Sequence, residues 1–466
     1  MTEHYDIAVI GAGPAGGNAA LEAARSGLRV VLLDEQPAPG GQVWRNKSAS
    51  IVAAPATPEG SAGDGLRSAI GASDVTLRAN TRVWDIRRQA GAWTLQILRD
   101  NTSLEITARA LILATGAREY VQPVPGWTTP GVIGLAGATA LFKHSLSLPG
   151  KHTVVSGTGP LVFYVASEIR RLGGTVAAVV TPNSRADWAR AVPSLLGQPK
   201  LLARGAAWLA DLMLARVPIL WGHAVSDVLG ADHVTGVKTR NLRRSLTGPE
   251  FAADSLCLGH GLVPNIEAAQ MHGVPIRHDA SLGGWVPEAE PDGATNVEGL
   301  YLCGDGCGIR GAVAAGLQGT LTGARAARDL GKSAPTPSRH PWQRAARFGQ
   351  AMTALSHPRP EVQALTTQDT IVCRCESLRR DDITAEITTG AASANAVKSG
   401  LRAGMGPCGG KYCQTAIAGL IAAQTGKAIA DVPPPTPRPP LRPLPLGQAV
   451  GDFDYDDLPI PKPAPL

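Results

Sequence analysis

The sequence predicts an α/β protein with two consecutive strand, glycine-turn and helix units, then a small helical domain and an extended tail. Three observations predict this architecture. Short apolar strands alternate with helical or loop segments over residues 1 to about 120, and a second series runs from Lys151 to about Val180. Two of those strands run into glycine-rich turns, and four cysteines form two tight pairs near the C-terminus.

The composition is that of a globular chain and excludes several classes of function. Of the 466 residues, 44% are hydrophobic and 18% are charged, which excludes wholesale disorder. The net charge is +6, but no Lys/Arg block with interleaved aromatic residues predicts a nucleic-acid surface. No apolar run reaches the roughly 18 residues of a membrane span, and the N-terminus lacks the pattern of a signal peptide. We therefore expect a cytoplasmic protein without a transmembrane segment.

The first glycine-rich turn has the order of elements that binds a dinucleotide. The strand Asp6–Ile10 runs into a turn and a helix that begins at Pro14 and Ala15. Gly11 permits the tight turn, Gly13 lets the backbone approach a pyrophosphate, and Gly16 lets the helix pack on the strand. The N-terminus of that helix attracts the anion.

Two acidic residues end the second strand, about 20 residues after the turn. Asp34 and Glu35 stand where a carboxylate accepts hydrogen bonds from a ribose, and the register favours Asp34. The sequence therefore predicts an adenine nucleotide at the first unit. The motif recognises only a pyrophosphate and a ribose, so by itself it does not distinguish between FAD, ADP and ATP as the ligand.

Three later turns extend the pattern. Gly41 and Gln42 lie in a loop after the acidic pair, Thr115 and Gly116 end a strand, and Gly304 and Asp305 follow a further apolar strand. With these turns, residues 4 to about 330 resemble a flavoprotein with two Rossmann-like dinucleotide-binding domains, of the glutathione reductase-like type. The resemblance implies that the Thr-Gly turn lines FAD and that Gly304 and Asp305 contact its ribityl and pyrophosphate part.

The second glycine-rich unit is incomplete. Gly157 and Gly159 follow a strand, but Val162 stands at the third glycine position. The next strand ends in Val180-Thr181-Pro182, without the acid that would bind a ribose. This pattern favours a domain retained for its structure over one that binds NAD(P)H. The paired cysteines of a disulfide reductase are also missing, and we expect three other cysteines to be small buried residues: Cys257, Cys303 and Cys307.

Four cysteines near the C-terminus predict a metal or cluster site. Cys373 and Cys375 form a C-x-C pair, and Cys408 and Cys413 form a C-x4-C pair in a glycine-rich segment. Four thiolates suit tetrahedral zinc as well as a [2Fe-2S] cluster, but zinc has no redox use beside a flavin. The segment that begins at Ile371 resembles the bacterioferritin-associated ferredoxin-type [2Fe-2S] domain, and this resemblance favours the cluster.

Shifts in composition divide the chain into segments. The tail contains eight prolines between Pro433 and Pro445, so we expect an extended segment that lies across a partner subunit. The predicted segments are an FAD-binding domain over 1–125 and 285–333, a second nucleotide-binding-like domain over 126–284, a linker over 334–368, the [2Fe-2S] domain over 369–430 and the Pro-rich tail over 431–466.

Together, the flavoprotein core, the ferredoxin-like domain and the tail resemble the A subunits of opine oxidases. Subunits of this type also occur in hydroxyproline or proline dehydrogenases and in hydrogen cyanide synthase. The resemblance implies an FAD-dependent oxidoreductase subunit that acts on C-N bonds. A β subunit of amino-acid-oxidase type would oxidise the substrate, such as an opine or proline, while this chain relays electrons to an acceptor. It also allows for a further flavin at the subunit interface and for a third small subunit. No catalytic residue is predicted in this chain.

Two other functions remain open from the sequence. A stand-alone NAD(P)H-dependent ferredoxin-type reductase would need the second glycine unit to bind its nucleotide. A non-catalytic subunit would hold only ADP or ATP, as a structural ligand, at the first unit.

Overall fold

A computed structural model of the chain describes residues 3–51, 57–357 and 359–449. Its strands, in chain order, are β1 (Glu3–Ile10), β2 (Val30–Leu33), β3 (Thr76–Arg78), β4 (Arg82–Gln89), β5 (Ala92–Arg99), β6 (Thr102–Leu113), β7 (Ala117–Glu119), β8 (Val132–Gly134), β9 (His152–Gly157), β10 (Thr175–Thr181), β11 (Ile219–Trp221), β12 (His223–Leu229), β13 (Gly236–Asn241), β14 (Leu246–Ala252), β15 (Ser255–Gly259), β16 (Leu262–Pro264), β17 (Ile276–Asp279), β18 (Gly284–Pro287), β19 (Leu300–Leu302), β20 (Ile371–Cys373) and β21 (Leu378–Arg379).

The helices of the same ranges are α1 (Pro14–Ala24), α2 (Pro58–Gly71), α3 (Leu135–Ser145), α4 (Leu161–Arg171), α5 (Arg185–Leu195), α6 (Pro199–Leu214), α7 (Glu267–Met271), α8 (Gly311–Asp329), α9 (His340–Ser356), α10 (Pro360–Gln363), α11 (Arg380–Thr388), α12 (Ala394–Leu401), α13 (Gln414–Thr425) and α14 (Leu446–Ala449). None of these helices combines the length and the hydropathy needed to cross a membrane.

The first sheet carries seven strands in the order β3-β2-β1-β6-β5-β4, with β19 paired to β6. Its centre is parallel, while β4 and β5 form an antiparallel extension. Ile7 and Val9 of the central strand are fully buried. Strand β19 comes from far along the chain, so it carries the Gly304-Asp305 turn to the edge at which β1 and β6 also end.

Helices α1 and α8 pack closely beside this sheet because small residues line their contact. A Cβ atom added to Gly319 would lie 2.0 Å from the carbonyl oxygen of Ala15. One added to Gly323 would lie 2.3 Å from the carbonyl oxygen of Ala19. The small residues of α8 therefore hold the Gly304-Asp305 turn beside the first glycine turn.

The second sheet has the order β11-β10-β9-β15-β8 and is parallel throughout. Val154, Val179 and Leu256 on its central strands are fully buried, as expected for parallel strands covered on both faces. An antiparallel sheet of β12, β13 and β14 belongs to the same part of the chain. The two sheets and their helices confirm the predicted α/β fold with two Rossmann-like units.

The cysteine-bearing segment forms a small helical domain, as predicted. Strands β20 and β21 form a hairpin, and α11, α12 and α13 pack on one another. Val372, Ile383, Val397 and Ile421 supply its fully buried core. The side chain of Ser393 begins α12 by accepting a hydrogen bond from the Ala396 N–H at 3.2 Å.

The linker before this domain is a packed helix. Helix α9 lies against α8 and α5, and a Cβ atom on Gly349 would meet the carbonyl oxygen of Arg310 at 2.0 Å. Thr353 donates a hydrogen bond to the carbonyl oxygen of Ile309 at 3.1 Å. This linker therefore has a fixed position against both nucleotide-binding-type domains.

Residues 441–443 of the tail lie against the first domain of the same chain, and the predicted contact of the tail with a partner subunit stays a prediction. The Leu441 N–H donates to the carbonyl oxygen of Trp84 at 2.7 Å, and its side chain joins the core of the first domain. The Arg442 side chain pairs with Glu35 at 2.9 Å. Because β4 is an edge strand, the tail gains a backbone partner and an apolar contact there. Residues 450–466 of the predicted tail lie outside the described residues.

Candidate cofactor site

The first glycine turn has the geometry that a pyrophosphate site needs. Gly11 has a φ of 101°, and a Cβ atom there would lie 2.4 Å from the carbonyl oxygen of Ala114. A Cβ atom on Gly16 would lie 1.8 Å from the carbonyl oxygen of Gly11. Gly13 precedes α1, which begins with Pro14 and Ala15, and nothing but the Cα atom of Gly41, at 3.8 Å, lies near the position of its absent Cβ. The backbone beside Gly13 is therefore open to a ligand, as the sequence predicts.

The two acidic residues after β2 differ in their surroundings. Both carboxylate oxygens of Asp34 accept backbone hydrogen bonds, from the Ala12 N–H at 2.6 Å and from the Gln36 N–H at 2.7 Å. Burial raises the pKa of Asp34. Glu35 instead pairs with Arg442 of the tail. Asp34 ties the glycine turn to the end of β2, and its oxygens retain lone pairs for ribose hydroxyl groups.

The other predicted flavin-binding turns meet at the same sheet edge. The carboxylate of Asp305 accepts hydrogen bonds from the Arg310 and Gly311 N–H groups at 2.9 and 3.0 Å. Burial raises the pKa of this carboxyl group. A Cβ atom on Gly304 would lie 2.6 Å from Ala15, and one on Gly306 would lie 3.1 Å from the Thr115 hydroxyl oxygen. The Gly-Asp and Thr-Gly turns therefore both lie beside the glycine turn.

The Thr115-Gly116 turn leaves open space beside its backbone. Gly116 has a φ of 64°, and no atom lies within 4 Å of the position of its absent Cβ. Gly41 packs its Cα atom on Gly13, while the side chain of Gln42 accepts a hydrogen bond from Arg45 at 2.5 Å. Of the residues predicted to hold FAD, Glu35 pairs with Arg442 and the others lie around these turns: Gly11, Gly13, Pro14, Ala15, Gly16, Asp34, Gly41, Gln42, Thr115, Gly116, Gly304 and Asp305.

A cavity of about 850 Å³ lies at the junction of the two nucleotide-binding-type domains and the cysteine domain. Val43, just after the Gly41-Gln42 loop, and Gly311, at the start of α8, line it. Lys143 also lines it, donates to the carbonyl oxygen of Val43 at 2.7 Å, and has a pKa that burial lowers to about 8. Sequence reasoning missed Lys143, because no motif links α3 to the flavin segments.

Arg118 and Glu119 line the same cavity and were also missed, although they directly follow the Thr115-Gly116 turn. Burial raises the pKa of Glu119 to about 7, and its carboxylate accepts a hydrogen bond from the Ala136 N–H at 2.8 Å, at the start of α3. Their position next to a predicted cofactor turn was the one available signal. Glu119 thus places a buried carboxyl group where flavin and nucleotide domains meet.

The second glycine unit is filled by the chain itself. The Gly159 N–H donates to the side-chain oxygen of Asn183 at 3.0 Å, and the Asn183 amide donates to the carbonyl oxygen of Leu355 at 2.8 Å. The Thr158 hydroxyl donates to the carbonyl oxygen of Ser356 at 2.9 Å. A Cβ atom on Gly159 would lie 1.9 Å from the Ser356 hydroxyl oxygen. The end of α9 therefore occupies the place where a pyrophosphate would approach this turn.

The four predicted ligand cysteines come together as two pairs. Cys373 contacts Cys413, and Cys375 contacts Cys408. The Cys413 hydrogen bond, together with the backbone N–H groups of residues 375, 376 and 404, lowers the pKa of Cys373 to about 5. Over the part of the chain that the structure describes, no three Cys, His, Asp or Glu side chains converge on a single metal position. Two thiolate pairs match the donor set of a cluster in which each iron takes two cysteines.

Aromatic and basic side chains fix the cysteine domain against the rest of the chain. The guanidinium of Arg374, between the two cysteines of the C-x-C pair, lies 4.8 Å from the Trp127 ring centroid and 4.6 Å from the Tyr412 ring centroid. The Trp127 indole N–H donates to the carbonyl oxygen of Ile371 at 2.6 Å. Arg118 reaches from β7 to the loop between Cys408 and Cys413, where it donates to the carbonyl oxygen of Lys411 at 3.2 Å.

The remaining cysteines are buried, as predicted. Burial raises the thiol pKa values of Cys257, Cys303 and Cys307. A thiol that resists ionisation is a poor nucleophile, so these three residues do not resemble a redox-active dithiol.

Comparisons with known proteins agree with this arrangement. Residues 5–326 match the pyridine nucleotide-disulphide oxidoreductase family, and residues 371–423 match the BFD-like [2Fe-2S] binding domain. The A subunit of opine oxidase from Agrobacterium tumefaciens (strain Ach5) is 31% identical, covering 96% of this chain and 92% of that protein. Hydrogen cyanide synthase subunit HcnB of Pseudomonas aeruginosa is 30% identical, covering 94% of this chain and 97% of that protein.

A solved structure extends the likeness of fold over nearly the whole chain. The crystal structure of L-proline dehydrogenase from P. horikoshii superimposes with a TM-score of 0.73 at 21% identity, covering 96% of this chain and 80% of that one. The two matched families imply FAD and a [2Fe-2S] cluster, so the cluster is favoured over zinc at the four cysteines. The chain belongs to the pyridine nucleotide-disulphide oxidoreductase family, is a homologue of the opine oxidase A subunits, and is an FAD-dependent oxidoreductase with a [2Fe-2S] cluster.

Proposed function

We propose that this chain is the electron-transferring subunit of a heteromeric amine or amino-acid dehydrogenase. A partner β subunit of amino-acid-oxidase type oxidises the C-N bond of an opine, proline or hydroxyproline. Electrons then pass through FAD and the [2Fe-2S] cluster to an acceptor other than NAD(P). The observation that carries this proposal is that the flavin-binding segment and the cluster loop are in direct contact through Arg118.

The residues of this chain hold and orient the two groups. We assign the pyrophosphate to the turn of Gly11, Gly13 and Gly16, and the ribose to Asp34. Thr115, Gly116, Gly304 and Asp305 enclose the middle of the cofactor. FAD supplies the chemistry that links two-electron oxidation to one-electron transfer, and the four cysteines hold the one-electron carrier.

The partner is supported by how the relatives are named. The relatives from opine oxidase and hydrogen cyanide synthase are both named as subunits of those enzymes. A third relative, 28% identical over 61% of this chain, is the alpha subunit of sarcosine oxidase from Corynebacterium sp. (strain U-96). We propose that the substrate pocket lies in that partner. A cytoplasmic location, a further flavin at the interface and a third small subunit remain predictions.

The filled second glycine unit opposes a stand-alone NAD(P)H-dependent reductase. Such an enzyme would need a pyrophosphate at Gly157 and Gly159, where Ser356 and Asn183 already take the contacts. A ferredoxin–NADP reductase of Gluconobacter oxydans (strain 621H) is 28% identical over 71% of this chain, so the reductase remains the rival to be tested.

The decisive experiment compares two reductants of the same purified protein. The chain, loaded with FAD and cluster, is mixed anaerobically with NADH or NADPH, or with its genome-neighbour partner and candidate substrates, while flavin and cluster absorbance are followed. We expect reduction with partner and substrate and none with the nicotinamide nucleotides. Rapid reduction by NADH or NADPH alone would contradict the relay. Recovery of ADP or ATP in place of FAD after denaturation would favour the non-catalytic alternative.

A further inference from the structure

We propose that Arg118 is a positioning residue that fixes the cluster loop against the flavin-binding turn and raises the reduction potential of the cluster. This inference rests on the proposed relay function. It concerns the path between the two cofactors, which crosses from the first domain to the cysteine domain.

Arg118 stands at a junction of three chain segments. It lies on β7, two residues after Gly116, and β7 pairs with β16. Its side chain is 12% exposed, so its contacts are shielded from water and from salt. A residue in this place can couple the Thr115-Gly116 turn to whatever its guanidinium binds.

The guanidinium donates hydrogen bonds to two other segments, residues 264–267 and residues 411–414. One nitrogen, Nη1, donates to Glu267 at 2.9 Å and to the carbonyl oxygen of Pro264 at 3.1 Å. Nε donates to the carbonyl oxygen of Lys411 at 3.2 Å, and Nη2 donates to the side-chain oxygen of Gln414 at 3.3 Å. A lysine ammonium is a point donor and could not span both segments in this way.

The segment that holds Arg118 is itself bonded to the flavin-binding turn. The Asn265 side chain donates to the carbonyl oxygen of Thr115 at 2.9 Å, and the Thr115 hydroxyl donates to the carbonyl oxygen of Asn265 at 3.0 Å. A continuous set of hydrogen bonds therefore runs from Thr115 through Asn265 and Arg118 to the loop between Cys408 and Cys413. Movement at one end is transmitted only if Arg118 keeps both contacts.

The charge of Arg118 also acts on the cluster. Lys411 and Gln414, which Arg118 binds, flank Cys413, and the Gln414 amide donates to the carbonyl oxygen of Gly409 in the same loop at 3.4 Å. A buried cation favours the more negative, reduced state of a nearby cluster, because net charge and hydrogen bonding set cluster potentials. Glu267 offsets part of that charge, so removing its carboxylate should act in the opposite direction.

The test separates position from charge in the full chain loaded with FAD and cluster. Arg118→Lys keeps the charge but not the fork, Arg118→Gln removes both, and Glu267→Gln removes the opposing carboxylate. The midpoint potential of the cluster is measured by EPR-monitored titration, and the rate of flavin-to-cluster transfer is measured after photoreduction of the flavin. Arg325→Gln is the matched control, because Arg325 joins Asp292 and Asp329 within the first domain.

We expect a lower cluster potential in Arg118→Gln, a higher one in Glu267→Gln and an unchanged one in the control. Transfer should slow by about tenfold or more in both Arg118 variants, because donor and acceptor lose their fixed orientation. If Arg118→Gln does not retain its cluster, the rate in Arg118→Lys and the potential in Glu267→Gln carry the test. Native potentials and rates in all variants would overturn the role of Arg118. Absence of transfer in the unmodified protein would instead overturn the relay.

Discussion

Replacement of Gly159 by alanine should reveal how tightly the end of α9 fills the second glycine unit. Gly159 has a φ of 75°, and an added Cβ atom would lie 1.9 Å from the hydroxyl oxygen and 3.0 Å from the Cβ atom of Ser356. The left-handed backbone costs an L-residue roughly 1–2 kcal/mol. Forced overpacking adds about 1–3 kcal/mol, so the free energy of unfolding should fall by about 2–5 kcal/mol.

A second substitution separates these two costs. Ser356→Gly removes the clashing atoms and leaves the Ser356 Cα at 3.4 Å from the new Cβ, while by itself it costs roughly 1 kcal/mol as a glycine at the end of a helix. In a double-mutant cycle followed by urea unfolding, Gly159→Ala combined with Ser356→Gly should be less damaging than the sum of the single changes, by about 1–3 kcal/mol. The backbone cost at residue 159 should remain. Strict additivity of the two changes would refute the conclusion that α9 occupies this turn.

Three further predictions follow from the packing and the site. Burial raises the pKa of Glu119 from 4.5 to about 7. Between these two pH values the folded state therefore binds more protons than the unfolded state. The free energy of unfolding should fall by about 3 kcal/mol as the pH rises through this range. Glu119→Gln should remove this slope in urea unfolding midpoints between pH 4.5 and pH 8, and an unchanged slope would show that another group titrates. Gly319→Val should separate α1 from α8, because its Cβ atom would meet the carbonyl oxygen of Ala15 at 2.0 Å. It should lower both FAD content and thermal stability, whereas Gly65→Ala serves as control, because Gly65 is exposed on α2 and no atom lies within 4 Å of its added Cβ. Cys375→Ser should abolish the cluster, measured as iron and sulfide per chain, while FAD absorbance persists; retained stoichiometric iron would exclude this ligand.

The sequence was sufficient to predict two candidate cofactor sites. Gly11, Gly13 and Gly16 are recognisable because backbone geometry leaves no room for a side chain at such a turn, and a short motif records that constraint. The four cysteines are recognisable for a similar reason, because the chemistry of a cluster demands thiolates at close spacing. Local constraints of this kind are written into neighbouring residues, and a sequence shows them directly.

The structure was needed for contacts between residues far apart in the chain. Arg118 and Lys411 are 293 positions apart in the sequence, and nothing in the residues around them predicts that they are in contact. Val162 and the missing acid predicted a second unit retained for its structure, but the residue that lies against its glycine turn, Ser356, comes from a linker that composition alone described as a connector. Proline density predicted an extended tail, but it could not predict that Leu441 and Arg442 lie against the first domain of the same chain.

The sequence by itself determined the two nucleotide-type units and predicted the flavin fingerprint and the four cysteine ligands, because each depends on residues close together along the chain. Only the tertiary structure decided how these parts meet. It placed the cluster loop against the flavin-binding turn, the end of α9 in the second glycine unit and Arg442 on Glu35. The reason is physical: conformational constraints act between neighbours in sequence, whereas packing and charge pairing act between whichever residues folding brings together.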